Sequence, residues 1–353
     1  MRILGKFLQI RNGFVISSKC IGTTATMAKS KFDYVKEFEL DDKCLPNCWI
    51  VVRIDGRNFS AFTEKHDFAK PNDPGALELM NRAAITVMEE FREIIIGFGQ
   101  SDEYSFVFRK DTTLFNRRAS KLMSNVNSLF SSSYVYYWPC FFKKPLQYPP
   151  AFDARVVLYP TDKNLRDYLA WRQADLHINN LYNTCFWNLV LKKNMKRQEA
   201  EEKLSGTLAA HKNELLFQEF KINYNNEPAL FRKGTTLIRK LVPNEMGRLK
   251  PTVVPLTDDI IADRFWKENP EVIGMKSLGT YQPPLKAPLV PGGFNPTAVN
   301  AVIPPMSMRP MLPTNIIPPH TMINSALPKK TIESNHQDAN RELNRNGDIS
   351  GHK

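Results

Sequence analysis

Trp49-Ile50-Val51-Val52-Arg53-Ile54-Asp55-Gly56 and, further along, Ser101-Asp102-Glu103-Tyr104-Ser105-Phe106-Val107-Phe108 are the two stretches that decide the fold. The first is an apolar run closed by an acid and a glycine. The second is an acidic turn that opens an aromatic run. Both have strand composition, and each delivers a carboxylate where a strand meets a turn. In the first strand Ile50, Val52 and Ile54 share one side, and Arg53 and Asp55 the other. Asp55 therefore points away from the side that this alternation buries. Taken singly, an Asp-Gly turn and an acidic hairpin tip are ordinary surface features. A strand, a helix and a second strand bringing carboxylates to one sheet edge favour a magnesium site. Mg²⁺ takes hard oxygen ligands and leaves part of its shell to water and substrate phosphates. Two such ions clamp the attacking and leaving oxygens of a phosphoryl displacement. The pattern reads as a polymerase-like nucleotidyl-transfer site.

Between these stretches Leu77, Met80, Ala84, Val87, Phe91 and Ile94 recur at three- and four-residue steps and predict one buried helical stripe. Asp73-Pro74 is its start signal, a cap followed by a first-turn proline, and Gly97-Phe98-Gly99-Gln100 breaks it. A second long helix fits Leu114–Tyr137, and a third fits Asn164–Leu191 after Pro160-Thr161-Asp162. Strand-like runs lie at Arg155–Tyr159 and Thr235–Leu241. Strands and helices thus mix over a body of residues 27–274, an α+β class.

The ends differ in character. The net charge of +12 divides into +4 in residues 1–26, +4 in residues 275–353 and +4 in between. Basic residues of the body therefore matter through clustering rather than bulk charge. The leader, 1–26, has basic residues, Ser and Thr, and no acid. That is the composition of a mitochondrial transit peptide, with an extension outside the fold as the alternative and Met27 as a second start. The expected location is cytoplasm and/or mitochondrion. Between Pro283 and Pro328 fall 12 of the 25 prolines, so residues 275–353 are expected to form a disordered tail. No run reaches the ~18 apolar residues of a membrane span. The scattered cysteines suit a reducing compartment. Cys44 and Cys48 lack a second ligand pair at zinc spacing, so ordinary thiols are expected.

Three further groups bear on chemistry. Lys70 lies in the loop between the first strand and the helix, placed to bring an ammonium to a triphosphate. Arg117, Arg118 and Lys121 cluster on the second helix, with Arg117 and Lys121 on one face, and a solvated face is the plain alternative. His177-Ile178-Asn179-Asn180-Leu181-Tyr182-Asn183 concentrates poor helix formers inside a helix whose context Trp171, Leu176, Phe186 and Leu189 maintain. It suits either a polar network between helices or contacts to phosphate or RNA. Lys212, Asn223-Tyr224-Asn225-Asn226 and Arg232-Lys233 have the residue types that meet unstacked RNA ends.

Together these strings resemble the eukaryotic tRNA-histidine guanylyltransferase family from about Met27 to Ile273. The segments that carry the likeness are Met27 to Phe32, Arg53 to Phe59, Phe68 to Asp73, Gln100 to Phe106, His177 to Asn183 and Tyr224 to Glu227. The resemblance implies a polymerase-palm-like (ferredoxin-like) antiparallel sheet with packed helices. It also implies addition of one guanosine to the 5′ end of histidine tRNA, in the 3′–5′ direction. ATP first adenylylates the 5′-phosphate, the GTP 3′-hydroxyl then attacks it, and pyrophosphate is removed. By the same likeness Asp55, Asp102 and the Gly56 carbonyl would hold two Mg²⁺ ions. Asp55, Gly56, Arg57, Asn58, Phe59, Ser60, Ser101 and Asp102 would hold GTP. Glu103 adds acidic character, and Lys70 would meet a triphosphate. Arg118, Lys121, His177, Lys212 and Asn223 would serve activation or the tRNA end. A homo-oligomer, typically a tetramer, is the family habit. A palm-type nucleotidyl cyclase and a noncatalytic RNA-binding scaffold are the alternatives, separable by incubation with GTP, ATP, Mg²⁺ and histidine tRNA.

Overall fold

The computed structural model describes residues 30–274 and 278–280. The leader expected at 1–26 and nearly all of the proline-rich segment lie outside the described residues. In chain order come β1 (Trp49–Arg57), α1 (Phe59–Lys65), α2 (Pro74–Glu90), β2 (Ile94–Gln100), β3 (Glu103–Phe108), α3 (Ala119–Phe141) and β4 (Ala151–Tyr159). They form the ferredoxin-like order β4-β1-β3-β2, antiparallel throughout. β5 (Thr235–Pro243) and β6 (Leu249–Leu256) extend the same sheet beyond β2. The mixed α+β class and the antiparallel sheet are as expected.

The boundaries show where local pattern fails. Phe91 and Ile94 do not belong to the helical stripe: α2 stops at Glu90, and Ile94–Gln100 is a strand. Ile94, Ile96 and Phe98 are buried in the middle of the sheet. A central strand covered on both faces loses the alternation that marks a strand at its surface. The β-branched run Ile94-Ile95-Ile96 was the remaining signal. Asp102 therefore stands at the tip of the β2–β3 hairpin, where Ser101 takes φ +48°. The second helix starts at Ala119 rather than Leu114, because Phe115, Asn116 and Arg117 are left-handed (φ 50°, 54° and 61°). Left-handed backbone cannot continue a right-handed helix.

The third helix, α4, is longer than its pattern and runs Asp162–Lys193. Thr161 caps it by accepting the Asn164 N–H at 3.1 Å. Its first half lays Leu165, Tyr168 and Leu169 against Trp49, Val51, Ile96 and Phe98 of the sheet. Its second half lays Leu181, Cys185 and Leu189 against α5 (Arg197–Leu204) and α6 (Ala209–Phe220). Full burial of a leucine contributes roughly 1.5–3 kcal/mol, so each half is anchored by its own apolar set. The sheet also takes in residues past the boundary expected at 274. Leu241 donates its N–H to the Gly279 carbonyl at 2.9 Å, and Thr280 bridges Leu241. Lys240 and Glu271 form a buried ion pair beneath them. No helix among the described residues is long and apolar enough to cross a membrane.

Glu78, on α2, sits in apolar surroundings beside Asn81. Burial pushes its carboxyl up to about 7, and the Asn81 hydrogen bond opposes this. A carboxyl raised in the folded state supports stability below its unfolded pKa, and that support is lost as pH rises through about 7. Glu78→Gln, neutral throughout, is expected to match wild type near pH 5 and to exceed it by about 3 kcal/mol near pH 8.5. Denaturant melts at the two pH values measure the difference. Equal losses in both proteins would clear Glu78 of the effect.

Candidate active site

The ends of β1, β2 and β3 meet at one edge of the sheet. Asp55 pairs across the ladder with Glu103 on one side and with Asp153 on the other. The Gly56 N–H donates to the Asp102 carbonyl at 3.1 Å and ties the β1 end to the hairpin tip. A Cβ at Gly56 would stand 2.8 Å from the Asp102 Oδ2 and 2.5 Å from the Phe59 ring. The glycine thus lets the Asp102 carboxylate lie against bare backbone. Asn58 takes φ +52°, which asparagine tolerates, and turns the chain into α1. At the hairpin, Gly99 leaves room for the Tyr104 ring, whose hydroxyl donates to Asn81 Oδ1 of α2 at 3.1 Å.

The electrostatics of this edge favour a cation. Burial raises the Asp102 carboxyl above its ordinary range, and the neighbouring Asp55 charge adds to the effect. Described ion pairs at this edge run to Glu103 and Asp175 from Arg53 and Arg172 and to Asp153 from Arg155, and none runs to Asp55 or Asp102. Two adjacent carboxylates and the Gly56 carbonyl form a hard-oxygen set, the kind Mg²⁺ takes. The set therefore fits a magnesium ion. Among the described residues no cluster of three or more His, Cys, Asp or Glu accompanies it. Glu103 is held apart: Arg172 Nη1 donates to its Oε2 at 2.9 Å, while its Oε1 has no hydrogen-bond partner. Burial raises its carboxyl, with Arg172 and Arg53 pulling it down.

Gly56→Ala is expected to lower any activity at this edge by roughly 100-fold or more, since the added methyl must displace Asp102 or Phe59. A melt and a rate on the same preparation check this. A near wild-type rate would mean that the Asp102 position is immaterial.

The other expected residues disperse. Arg57, Asn58 and Ser60 are exposed on the turn into α1, whereas Phe59 is buried, ring against Phe62 and Phe152. Lys70 donates to Thr63 Oγ1 at 3.0 Å and lies over the Trp187 ring, which Arg197 also approaches. Burial lowers its pKa. Asp73 steadies this loop by accepting from the Ala69 and Ala76 N–H groups. Arg118 pairs with Asp42 at the start of α3, and Lys121 is exposed one turn on. His177 rests its ring against Tyr224 and lines a small cleft with Gln173, Arg232, Lys233, Asp259 and Ile261. Burial, then Arg232, lowers its pKa.

One expectation needs correction. Arg117 does not share a helix face with Lys121. It precedes the helix, and its guanidinium donates to the carbonyls of Cys44, Leu45, Cys48, Lys110 and Thr112. It therefore binds loop to loop. Lys212 donates to Thr207 at 2.7 and 2.8 Å. Asn223 caps the turn Tyr224–Asn226. Asn180 is buried and donates to the Tyr224 hydroxyl at 2.8 Å, which is the polar-network reading of that motif. Trp171, on the same helix, is 54% exposed. Arg53 and Arg172 were missed. Arg53 shares the Asp55 face in the alternation, a legible signal, but Arg172 is an arginine in a buried helical stripe and gave no cue.

Comparison with known proteins bears on the same residues. A family model described as tRNAHis guanylyltransferase (Thg1) matches residues 32–160, and one described as the Thg1 C terminal domain matches residues 163–268. The junction of the two falls where β4 hands over to α4. A probable tRNA(His) guanylyltransferase of Drosophila melanogaster is 59% identical over 263 residues, covering 74% of this chain and 91% of that protein. Its Homo sapiens counterpart is 57% identical over 267 residues, covering 70% and 90%. The crystal structure of the Saccharomyces cerevisiae tRNA(His) guanylyltransferase is similar at TM-score 0.57 and 50% identity, over 59% of this chain and 93% of that one. A bacterial Thg1-like protein solved in complex with ATP shares the fold at TM-score 0.56 and 21% identity, over 68% of this chain and 97% of its own.

Proposed function

Because this chain belongs to the tRNA(His) guanylyltransferase family and is a nucleotidyltransferase, we propose that it adds one guanosine to the 5′ end of histidine tRNA. The observation that carries the reading is Asp102 lying against Gly56, with the Asp55 charge near enough to act on it, at the strand ends of a 4-1-3-2 sheet. Two Mg²⁺ ions held by Asp55, Asp102 and the Gly56 carbonyl would supply charge neutralisation for phosphoryl displacement.

In the first step a 5′-phosphate oxygen of the tRNA attacks the α-phosphorus of ATP, and pyrophosphate leaves. In the second, the GTP 3′-hydroxyl attacks the activated 5′-phosphorus, its proton is lost, and AMP leaves. Water then removes pyrophosphate from the new 5′ end. Such transfers need positioning and charge neutralisation more than a protein nucleophile. The chain's part is to hold nucleotide along Asp55 to Ser60 and Ser101-Asp102. Lys70 meets a triphosphate after leaving Trp187, and Arg118, Lys121, His177, Lys212 and Asn223 serve activation or the tRNA end. The exposed Arg57, Asn58 and Ser60 backbone and the Arg232–His177 cleft support this division. Glu103, neutralised by Arg172, supports the fold of the edge rather than the metals.

The reading includes assembly as a homotetramer, which light scattering on the purified protein checks, and action in cytoplasm and/or mitochondrion. The decisive assay mixes the protein with labelled GTP, ATP, Mg²⁺ and 5′-monophosphorylated histidine tRNA. An RNA longer by one nucleotide, dependent on ATP, is expected. A cyclic nucleotide without RNA extension, or RNA binding alone, would overturn the proposal.

A further inference from the structure

Trp171 stands where an indole has no structural reason to be. It is 54% exposed on α4, although its helical neighbours Leu169 and Arg172 are buried. The ring is nevertheless held: the Arg172 guanidinium lies 3.8 Å from its centroid and that of Arg53 lies 6.0 Å away. Arg172 in turn is fixed by Glu103 at 2.9 Å and Asp175 at 2.8 Å. Glu103 is the cross-strand partner of Asp55. A chain of contacts thus runs from the acidic edge to an exposed, immobilised aromatic surface.

The ring lies on a definite side of the sheet. Trp49 and Val51 pack on α4 and share their face with Arg53 and Asp55, by strand alternation. Gly56 has the opposite parity and meets Phe59 of α1. Asp102 Oδ2 also lies at the Gly56 Cβ position, and the loop bearing Lys70 follows α1, so nucleotide held along Gly56 to Ser60 and Ser101-Asp102 lies towards α1. On the α4 side, β4 is the edge strand, and its Arg155, opposite Arg53 in the ladder, is exposed and paired with Asp153 at 3.4 Å. The exposed indole and guanidinium on the α4 side are the groups that meet an unstacked base and a phosphate, which fits the RNA to that side.

We propose that Trp171 is a stacking platform for the terminal base at the 5′ end of the RNA substrate, with Arg155, one strand over from Arg53, for the backbone phosphate. Indole accepts any base by its π-face, and a guanidinium on the ring fixes its orientation. The assignment rests on the proposed function for the identity of the RNA, and on Trp171's own exposure and anchoring for the platform.

The test uses full-length protein and 5′-monophosphorylated histidine tRNA carrying 2-aminopurine as its first nucleotide. Wild type is expected to quench the 2-aminopurine on binding. Trp171→Ala should abolish the quench and raise the KM for tRNA about 10- to 100-fold, with the KM values for ATP and GTP within about twofold of wild type. Trp171→Phe, which keeps a ring, should recover most of both. Since the residue is exposed, unchanged melting of Trp171→Ala is expected. Unchanged quench and tRNA KM in Trp171→Ala would overturn the platform, as would a KM change confined to ATP or GTP, which would put a mononucleotide on the ring. Wild type that quenches the RNA but adds no guanosine would instead sink the proposed reaction and leave the platform standing.

Discussion

Asp102→Asn is expected to lower both adenylylation and guanosine addition by on the order of 10³-fold while the protein stays folded. Asparagine keeps the shape of the side chain and removes its charge. In the folded protein that carboxylate is partly buried and feels the Asp55 charge, so its ionised form is unfavourable until a cation is present. Melting without magnesium should therefore not fall, and the variant should be at least as stable as wild type near neutral pH. Magnesium should separate the two proteins. A ligand that binds only the folded state raises the melting temperature, so wild type should gain with added Mg²⁺ and Asp102→Asn should not. Asp55→Asn should behave alike, because both steps use one site. A variant that retains near wild-type rate on either step, or the same magnesium response, removes that residue from the metal role.

The second large effect is on stability. Arg172→Met should cost about 3–5 kcal/mol, the usual penalty for breaking a buried ion pair by removing one partner. Arg172 and Glu103 are 7% and 13% exposed, and no other described cation lies closer to Glu103 than Arg53 at 3.9 Å. For a body of this size the melting temperature should fall on the order of 10 °C. The loss should depend on pH. Burial already raises the Glu103 carboxyl against the pull of Arg172, and without that pull it rises further. A carboxyl raised in the folded state supports stability below its unfolded pKa, with the support lost as pH rises through the folded value. Arg172→Met should thus be closest to wild type near pH 5 and furthest from it near pH 8. Adding Glu103→Gln should restore most of the difference, since the lone buried charge is then gone. A pH-independent loss that the double variant does not recover would mean that Arg172 matters through packing over Trp171 alone.

The proportion of all this that was legible in the chain follows from locality. Asp55, Gly56, Ser101 and Asp102 could be read because a strand end and a tight turn are written in adjacent residues, by alternation and by turn chemistry. The family motifs spanning Arg53–Phe59, Phe68–Asp73 and His177–Asn183 are also contiguous. α4 was legible from its start signal Pro160-Thr161-Asp162, a local one that the Thr161 cap realises. β2 was not, because a central strand buried on both faces shows only an apolar run, and its spacing merged with the stripe of α2. Arg117 looked like part of a basic helix face until three left-handed residues turned it onto five carbonyls brought in from two loops. No short-range pattern encodes such partners.

What the sequence determined by itself is therefore the acidic pair, the mixed class and the family. The tertiary structure decided the partners. It set Asp102 over Gly56, gave Glu103 to Arg172, drew Lys70 onto Trp187 and left Trp171 exposed beside the acidic edge. The physical reason is that backbone preference acts over a few residues. Burial, charge pairing and ring stacking act between segments that the sheet order alone brings together.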